Sequence, residues 1–168
     1  MRVPPQTVQI AIARDMIRRA RELSRATKDL YDKLAALVKA VAPQLLAEPG
    51  IGVLLAAKFI GEIAGIDRFT TDAQLARLAG CAPIPVSSGR TDRFRLDPGG
   101  NRRLNSAFYM LAIIRIRTDP RTAIYLQRQR ANGKSKKEAI RCLKRHLVRR
   151  VYHLLHNPRS VPITICLT

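Results

Sequence analysis

The chain has 168 residues, of which 46% are hydrophobic, with 31 Lys and Arg against 12 Asp and Glu, a formal net charge of +19. That length suits one domain of ordinary size plus an extension, and the apolar content excludes a disordered polybasic tail. A chain this basic repels itself unless a polyanion partners it, so nucleic acid is the expected partner, with a ribosomal-type RNA binder as a rival. The charge is uneven: residues 90–150 hold 18 of the basic residues and 4 of the acidic ones. Arg dominates there, and its planar fork grips phosphate oxygens two at a time. Cys81, Cys142 and Cys166 are odd in number and lack metal-type spacing, which predicts free thiols in a reducing compartment. With no leader segment and no apolar run near ~18 residues, the expectation is a cytoplasmic protein with no membrane contact.

After a Pro-containing lead, no Gly or Pro occurs from Val8 to Ala42. Ile10, Ala13, Ile17, Ala20, Ser24, Thr27, Tyr31, Leu34, Val38 and Val41 alternate spacings of three and four, a heptad seam. Met16, Leu23, Leu30 and Leu37 form a second row. This predicts one long helix that pairs with itself or another helix, although Ser24 and Thr27 weaken the seam. Pro43 ends it. A short helical turn over Gln44–Ala47 and the Pro49-Gly50-Ile51-Gly52 turn lead to a helix from Val53 to about Ala64. Asp72 is expected to cap a third helix ending at Ala79, with Leu75 and Leu78 as its apolar face. Residues 81–100, rich in Pro and Gly, read as a loop, with a short hairpin through Arg93–Leu96 as an option. Asn101 to Thr118 is apolar on most sides and reads as a central buried helix. Pro120 starts a helix that Asn132-Gly133 stops. Ser135 and Glu138 form a capping box for the last helix, whose apolar stripe is Ile140, Leu143, Leu147, Val151 and Leu154. The fold class is therefore mainly α: a coiled-coil-like segment over residues 1–43, a compact helical domain over 44–156 and a tail over 157–168.

Three motifs carry chemistry. Leu45 to Ala57 looks like a helix-hairpin-helix element. Gly50 and Gly52 let the backbone come close to a phosphate, Ile51 plugs the turn into its own core, and the following helix points free N–H groups at an anion. Such contacts fix position without reading sequence. The second motif is a serine loop, Pro83 to Arg90. A serine hydroxyl needs cations on the non-bridging phosphate oxygens to attack phosphorus. Arg90, Arg93 and Arg95 follow Ser88 closely, and Arg102 and Arg103 open the next helix, whose dipole would reinforce the same anion site. The bland reading is a polar loop that holds DNA passively. The third motif is the basic face of the last helix: Lys136, Lys137, Arg141, Lys144, Arg145, Arg149 and Arg150, placed opposite the apolar stripe with Glu138 as the sole acid. No metal site is expected, because acids do not cluster and His146, His153 and His156 lack companions.

Taken in order, Pro49-Gly50-Ile51-Gly52 with Ala56, Phe69, Leu78-Ala79-Gly80-Cys81-Ala82-Pro83, Ser88-Gly89, Gly100-Asn101-Arg102-Arg103-Leu104 and Gly133-Lys134 resemble a known domain. It is the C-terminal domain of the IS-one-ten type transposases, the bridge-RNA-guided serine recombinases, and the resemblance runs from about Leu45 to Leu155. It implies that Ser88, with Ser87 as fallback, attacks a DNA phosphodiester and holds a strand as a phosphoserine. Arg90 and Arg93 would then assist catalysis. The nucleic-acid contacts would fall to Gly50, Ile51, Gly52, Arg95, Arg102, Arg103, Lys136, Lys137, Arg141, Lys144 and Arg145. It further implies a structured guide RNA and a homodimer or higher assembly through the long helix. The family's resolvase-like domain, with its metal-binding acids, has no counterpart in this sequence. The expectation is thus a fragment without a cofactor of its own, inactive alone, with magnesium needed only alongside that domain. Asp97-Pro98-Gly99 stands where the family commonly has a lysine. The alternative is a non-catalytic binding module left by a decayed element.

Overall fold

The computed structural model describes the backbone of residues 5–88, 91–95 and 99–157, and the side chains of residues 7–84 and 99–157. The chain divides into two units, Met1–Leu37 and Val38–Thr168. Helix α1 spans Pro5–Val41. Its end follows from Pro43, whose ring disfavours the helical region at the residue before it; Ala42 has φ −149° and ψ 65°. In the first unit, Ile10, Ile17 and Tyr31 of the expected seam are exposed, as are Met16, Leu23, Leu30 and Leu37 of the neighbouring row. The hydroxyls of Ser24 and Thr27 donate to the carbonyls of Ala20 and Leu23, at 2.8 Å each. The two polar seam residues are thus satisfied on their own helix.

The second unit is helical with one small ribbon. Helix α2 covers Pro43–Leu46, α3 Val53–Ile63, α4 Asp72–Leu78, α5 Arg102–Thr118, α6 Pro120–Ala131 and α7 Lys136–His156, while strands β1 (Ile84–Ser88) and β2 (Thr91–Arg95) form an antiparallel pair. The stretch expected to be a loop is therefore a ribbon over most of its described length. Helix α5 packs on α3, α6 and α7, and α7 also packs on α2 and α4. Phe59 and Phe108 meet with ring centroids 4.7 Å apart at the α3–α5 contact. Leu45, Leu75, Leu104, Leu111, Leu143, Leu147 and Val151 complete the core. Central as α5 is, Tyr109 and Met110 lie on an exposed face, so it is not buried all round.

Most helix boundaries follow local chemistry. The Ser135–Glu138 capping box is formed, Asp119 caps α6 ahead of Pro120, and Gly133 takes φ +82° after α6. At α4 the cap is Thr71 rather than Asp72: Thr71 is extended and its side chain accepts from the Gln74 N–H. Asp72 instead sits in the first turn, where a carboxylate suits the helix dipole. It accepts from Arg145 at 2.7 Å and from Arg149 at 3.1 Å, which ties α4 to α7. Burial alone would raise the Asp72 carboxyl, but the two arginines outweigh it and hold the group below its ordinary value.

A second ionic group lies deeper. Glu48, just after α2, is buried between Arg115 of α5 and Arg150 of α7. Arg150 Nε donates to Glu48 Oε2 at 2.8 Å, Arg115 Nη2 donates to Oε1, and Arg115 Nε donates to the Pro49 carbonyl at 2.9 Å. Asp119 lies 3.9 Å from Arg115 Nη1. Desolvated charges are costly unless paired in this way.

Glu48→Ala should destabilise the protein by about 3–5 kcal/mol in denaturant unfolding, because two buried guanidinium groups lose their shared carboxylate. Arg18→Ala, which removes an exposed pair with Asp15, should cost under about 1 kcal/mol. Equal costs would show that the Glu48 clamp is no more than a surface pair. Asp72→Asn should lower Tm at neutral pH, and the gap to the parent should close in acid. A carboxyl depressed by folding stabilises above its unfolded value, about 3.9, and that contribution is lost as pH falls through the folded one. A pH-independent gap would exclude the ionic contribution.

Candidate nucleic-acid interface

The α2–α3 turn places its two glycines in different surroundings. Gly50 has φ +85°, and a Cβ there would lie 3.2 Å from Leu111 Cδ1 and 3.3 Å from Ile114 Cγ2. Its glycine is required twice over by the fold, by backbone conformation and by closeness to α5. Ile51 is buried, as its plug role demands. Gly52 has φ −89° and ψ 176°, which any residue can adopt, and a Cβ there would meet nothing within 4 Å. Gly52 is also the N-cap of α3 and supplies no side-chain cap. The cap therefore offers the N–H groups of the first α3 turn no side-chain acceptor.

The expected serine loop is a ribbon. Its register pairs Ser88 with Thr91, Val86 with Arg93 and Ile84 with Arg95. Because strand residues alternate between faces, Ser88 shares one face with the positions of Arg93 and Arg95. Ser87, paired with Asp92, belongs to the other face along with Phe94. Arg90 lies outside the described residues, as do the side chains of Ser87, Ser88, Arg93 and Arg95.

The ribbon leaves the helical body through a tightly pinned root. Where Gly80 and Gly100 cross, a Cβ on Gly100 would stand 2.3 Å from the Gly80 nitrogen, so no side chain fits. The Asn101 N–H donates to the Leu78 carbonyl at 2.6 Å, and the N–H groups of Cys81 and Ala82 both reach the Ala76 carbonyl. Asn105 of α5 donates to the carbonyls of Ala79 (2.8 Å) and Gly80 (3.0 Å). Lys144 of α7 donates to Asn105 Oδ1 at 2.6 Å. The sequence reading missed Asn105 and the Gly80–Gly100 crossing. The Gly-Asn pair at 100–101 carried a signal for the second, but its partner lies some twenty residues upstream.

The N-terminus of α5 differs from the open anion site expected. Asn101 Oδ1 accepts the N–H groups of Arg103 (2.9 Å) and Leu104 (3.0 Å), while its Nδ2 donates to Glu62 Oε2 at 2.7 Å. Two of the N–H groups meant for a phosphate are thus already used. The side chains of Arg102 and Arg103 remain outside, with Arg103 81% exposed and 3.6 Å from Glu62.

Helix α7 does not present one basic face. Lys136 and Lys137 are exposed and Arg141 is half-buried. Lys144 is 5% exposed, Arg150 is buried on Glu48, and Arg145 is held by Asp72. Lys144 is therefore corrected from a phosphate contact to an interior group, and Arg145 to a structural one in its present pairing. The physical reason is that α7 packs against α2, α4, α5 and α6. Positions that a single-helix pattern assigns to solvent face other helices instead. The sequence reading placed α6 but gave its cations no role. From residue 120 to 137 there are six cations (Arg121, Arg128, Arg130, Lys134, Lys136 and Lys137) and no acid. All six are exposed. The histidines pack on tyrosines: His146 meets the Tyr125 edge and His156 stacks on Tyr152.

Residues 42–127 match the transposase family named for IS116, IS110 and IS902. The chain is 35% identical over 115 residues to the 42 kDa protein of insertion element IS900 from Mycobacterium paratuberculosis, covering 67% of this chain and 29% of that protein. It is 34% identical over 131 residues to the 43.6 kDa protein of IS110 from Streptomyces coelicolor, covering 76% and 32%. With the 44.8 kDa protein of IS116 from Streptomyces clavuligerus it shares 33% over 113 residues, covering 66% and 28%. The aligned part spans about a third of each relative's length. The matched segment takes in the pinned ribbon, the glycine turn and α5, and the chain belongs to the IS116/IS110/IS902 transposase family.

Proposed function

We propose that this chain is the DNA-gripping and strand-capturing part of a transposase, with Ser88 as its nucleophile. The observation that carries the proposal is the ribbon register: Ser88 ends β1 on the same face as Arg93 and Arg95, and Ser87 falls on the opposite face with Asp92. In the reaction, Ser88 Oγ bonds to phosphorus as a P–O ester bond breaks. The serine proton leaves and the released sugar oxygen gains one. Guanidinium groups of Arg90, Arg93 and Arg95 neutralise charge that builds on the non-bridging oxygens. The first turn of α3 at Gly52 holds a second phosphate through backbone N–H groups. Arg102, Arg103, Lys136, Lys137 and Arg141 extend the phosphate track, and the α6 arginines widen it.

On this reading the apolar rows of α1 pair with a second copy, a structured RNA pairs with the DNA targets, and a resolvase-like domain supplies the metal chemistry. The protein works at the nucleoid in the cytoplasm. A non-catalytic grip is favoured by one observation only, the open Gly52 turn, which binds phosphate whether or not Ser88 reacts.

The test is covalent capture on nicked DNA, with guide RNA and the resolvase-like domain supplied. A protein–DNA adduct should form, vanish in Ser88→Ala and persist in Ser87→Ala. An adduct kept by Ser88→Ala, or none from the parent chain, sinks the nucleophile and leaves the passive grip. Gly52→Ala should change stability by less than about 1 kcal/mol yet weaken DNA binding, because a Cβ there stands where a phosphate would approach the α3 N–H groups. Gly50→Ala should unfold the turn. Unchanged DNA affinity in Gly52→Ala removes the α3 phosphate site.

A further inference from the structure

Lys144 is buried at 5% exposure, and no carboxylate among the described residues forms an ion pair with it. Among the described residues, the other deeply buried cations of this unit sit on an acid: Arg115 and Arg150 share Glu48. A lysine taken out of water without a counter-charge is unusual and calls for a reason. Its hydrogen bond to Asn105 supplies one, and its ammonium also lies beside the Cys81 thiol. The ammonium has only donors to offer, so it compels Asn105 to present its amide oxygen toward α7. The amide nitrogen must then face the other way, and there it donates to the carbonyls of both Ala79 and Gly80. Those carbonyls lie where the chain leaves α4 for β1. The Cys81 thiol also reaches the Ala79 carbonyl, at 3.4 Å. The returning leg is fixed at the same level by the Gly80–Gly100 crossing and the Asn101–Leu78 bond.

We infer that Lys144 is a positioning residue for the serine ribbon: through Asn105 it locks the root from which Ser88 projects. It does not touch nucleic acid. The catalytic consequence rests on the reading of Ser88 as nucleophile, whereas the consequence for the root does not. A neutral side chain of similar volume at 144 leaves the Asn105 Oδ1 without its donor, so the side chain is held by its two carbonyl acceptors alone. The helical core loses little by this, since relief from burying an unpaired charge offsets the lost hydrogen bond. The root loosens, and with it the placement of the ribbon.

The test compares Lys144→Met, Asn105→Leu and the double variant in the full chain. The first readout is hydrogen exchange at the Cys81, Ala82 and Asn101 amides in the free protein. Exchange should quicken about tenfold or more in each single variant and no further in the double, because one local opening is involved. Tm should stay within a few degrees of the parent, and DNA affinity within about twofold, since no phosphate contact is removed. Adduct formation on nicked DNA should slow about tenfold or more, in line with a reacting group displaced by about an ångström. Lys136→Gln serves as the contrast: it should weaken DNA binding and leave root exchange unchanged.

Unchanged exchange in Lys144→Met overturns the inference. So does a loss of DNA affinity matching that of Lys136→Gln, which would make Lys144 a phosphate contact after all. Additive effects in the double variant overturn the path through Asn105. If Lys144→Met fails to fold, Asn105→Leu carries the exchange measurement by itself. If the parent protein forms no adduct, the nucleophile reading fails while the exchange arms still decide the role of Lys144.

Discussion

The helical unit depends on one carboxylate. Glu48 draws a guanidinium from α5 and another from α7 onto the turn that follows α2. Neither arginine could remain in the core without it, because burial removes the water that would otherwise solvate them. The same clamp anchors the Pro49 carbonyl and seats Gly50 against Leu111 and Ile114. Gly52 follows two positions on, exposed, as the N-cap of α3, so the start of that helix is positioned in part by an interior ion group.

A net charge of +19 suggests a molecule coated with cations. The structure divides them. Arg115 and Arg150 stabilise the centre, Arg145 and Arg149 join α7 to α4 through Asp72, and Lys144 orients an amide. What remains for a polyanion is a smaller and more localised set, concentrated on α6, the start of α7 and the start of α5. The scarce acids matter more than their number implies. Glu48 and Asp72 each hold two arginines in a defined place, and the proposed nucleic-acid surface lies where such acids are fewest.

Much of the architecture was legible in the sequence because it is written locally. Pro43 and Pro120 mark helix limits, Ser135 with Glu138 spells a capping box, and the stripe from Ile140 to Leu154 is buried as its spacing indicates. What was not legible is written between distant positions. Thr71 and Asp72 are both cap-type residues, and only the arginines of α7 explain why the aspartate is free for other duty. The fate of Lys144 depends on Asn105, and that of Arg150 on Glu48, more than a hundred positions away. A 3.6-residue period tells which side of one helix a residue occupies, but not how many neighbours surround that helix. The ribbon was hidden by its prolines and glycines, which read as loop although Val86, Thr91 and Phe94 suit a strand. Of the candidate site, the glycine turn and the serine motif were visible as motifs, whereas the pinned root, made by backbone groups with Asn105, Lys144 and Cys81 drawn from three parts of the chain, left almost no compositional trace.

The crossing of Gly80 over Gly100 has an evolutionary consequence. At the neck the spacing of the two legs is set by glycines, and farther out by the β1–β2 pairing. The segment between them is therefore a cassette. Its length and side chains can change while the helical body keeps its shape, so the segment proposed to capture a strand is insulated from the part that must fold.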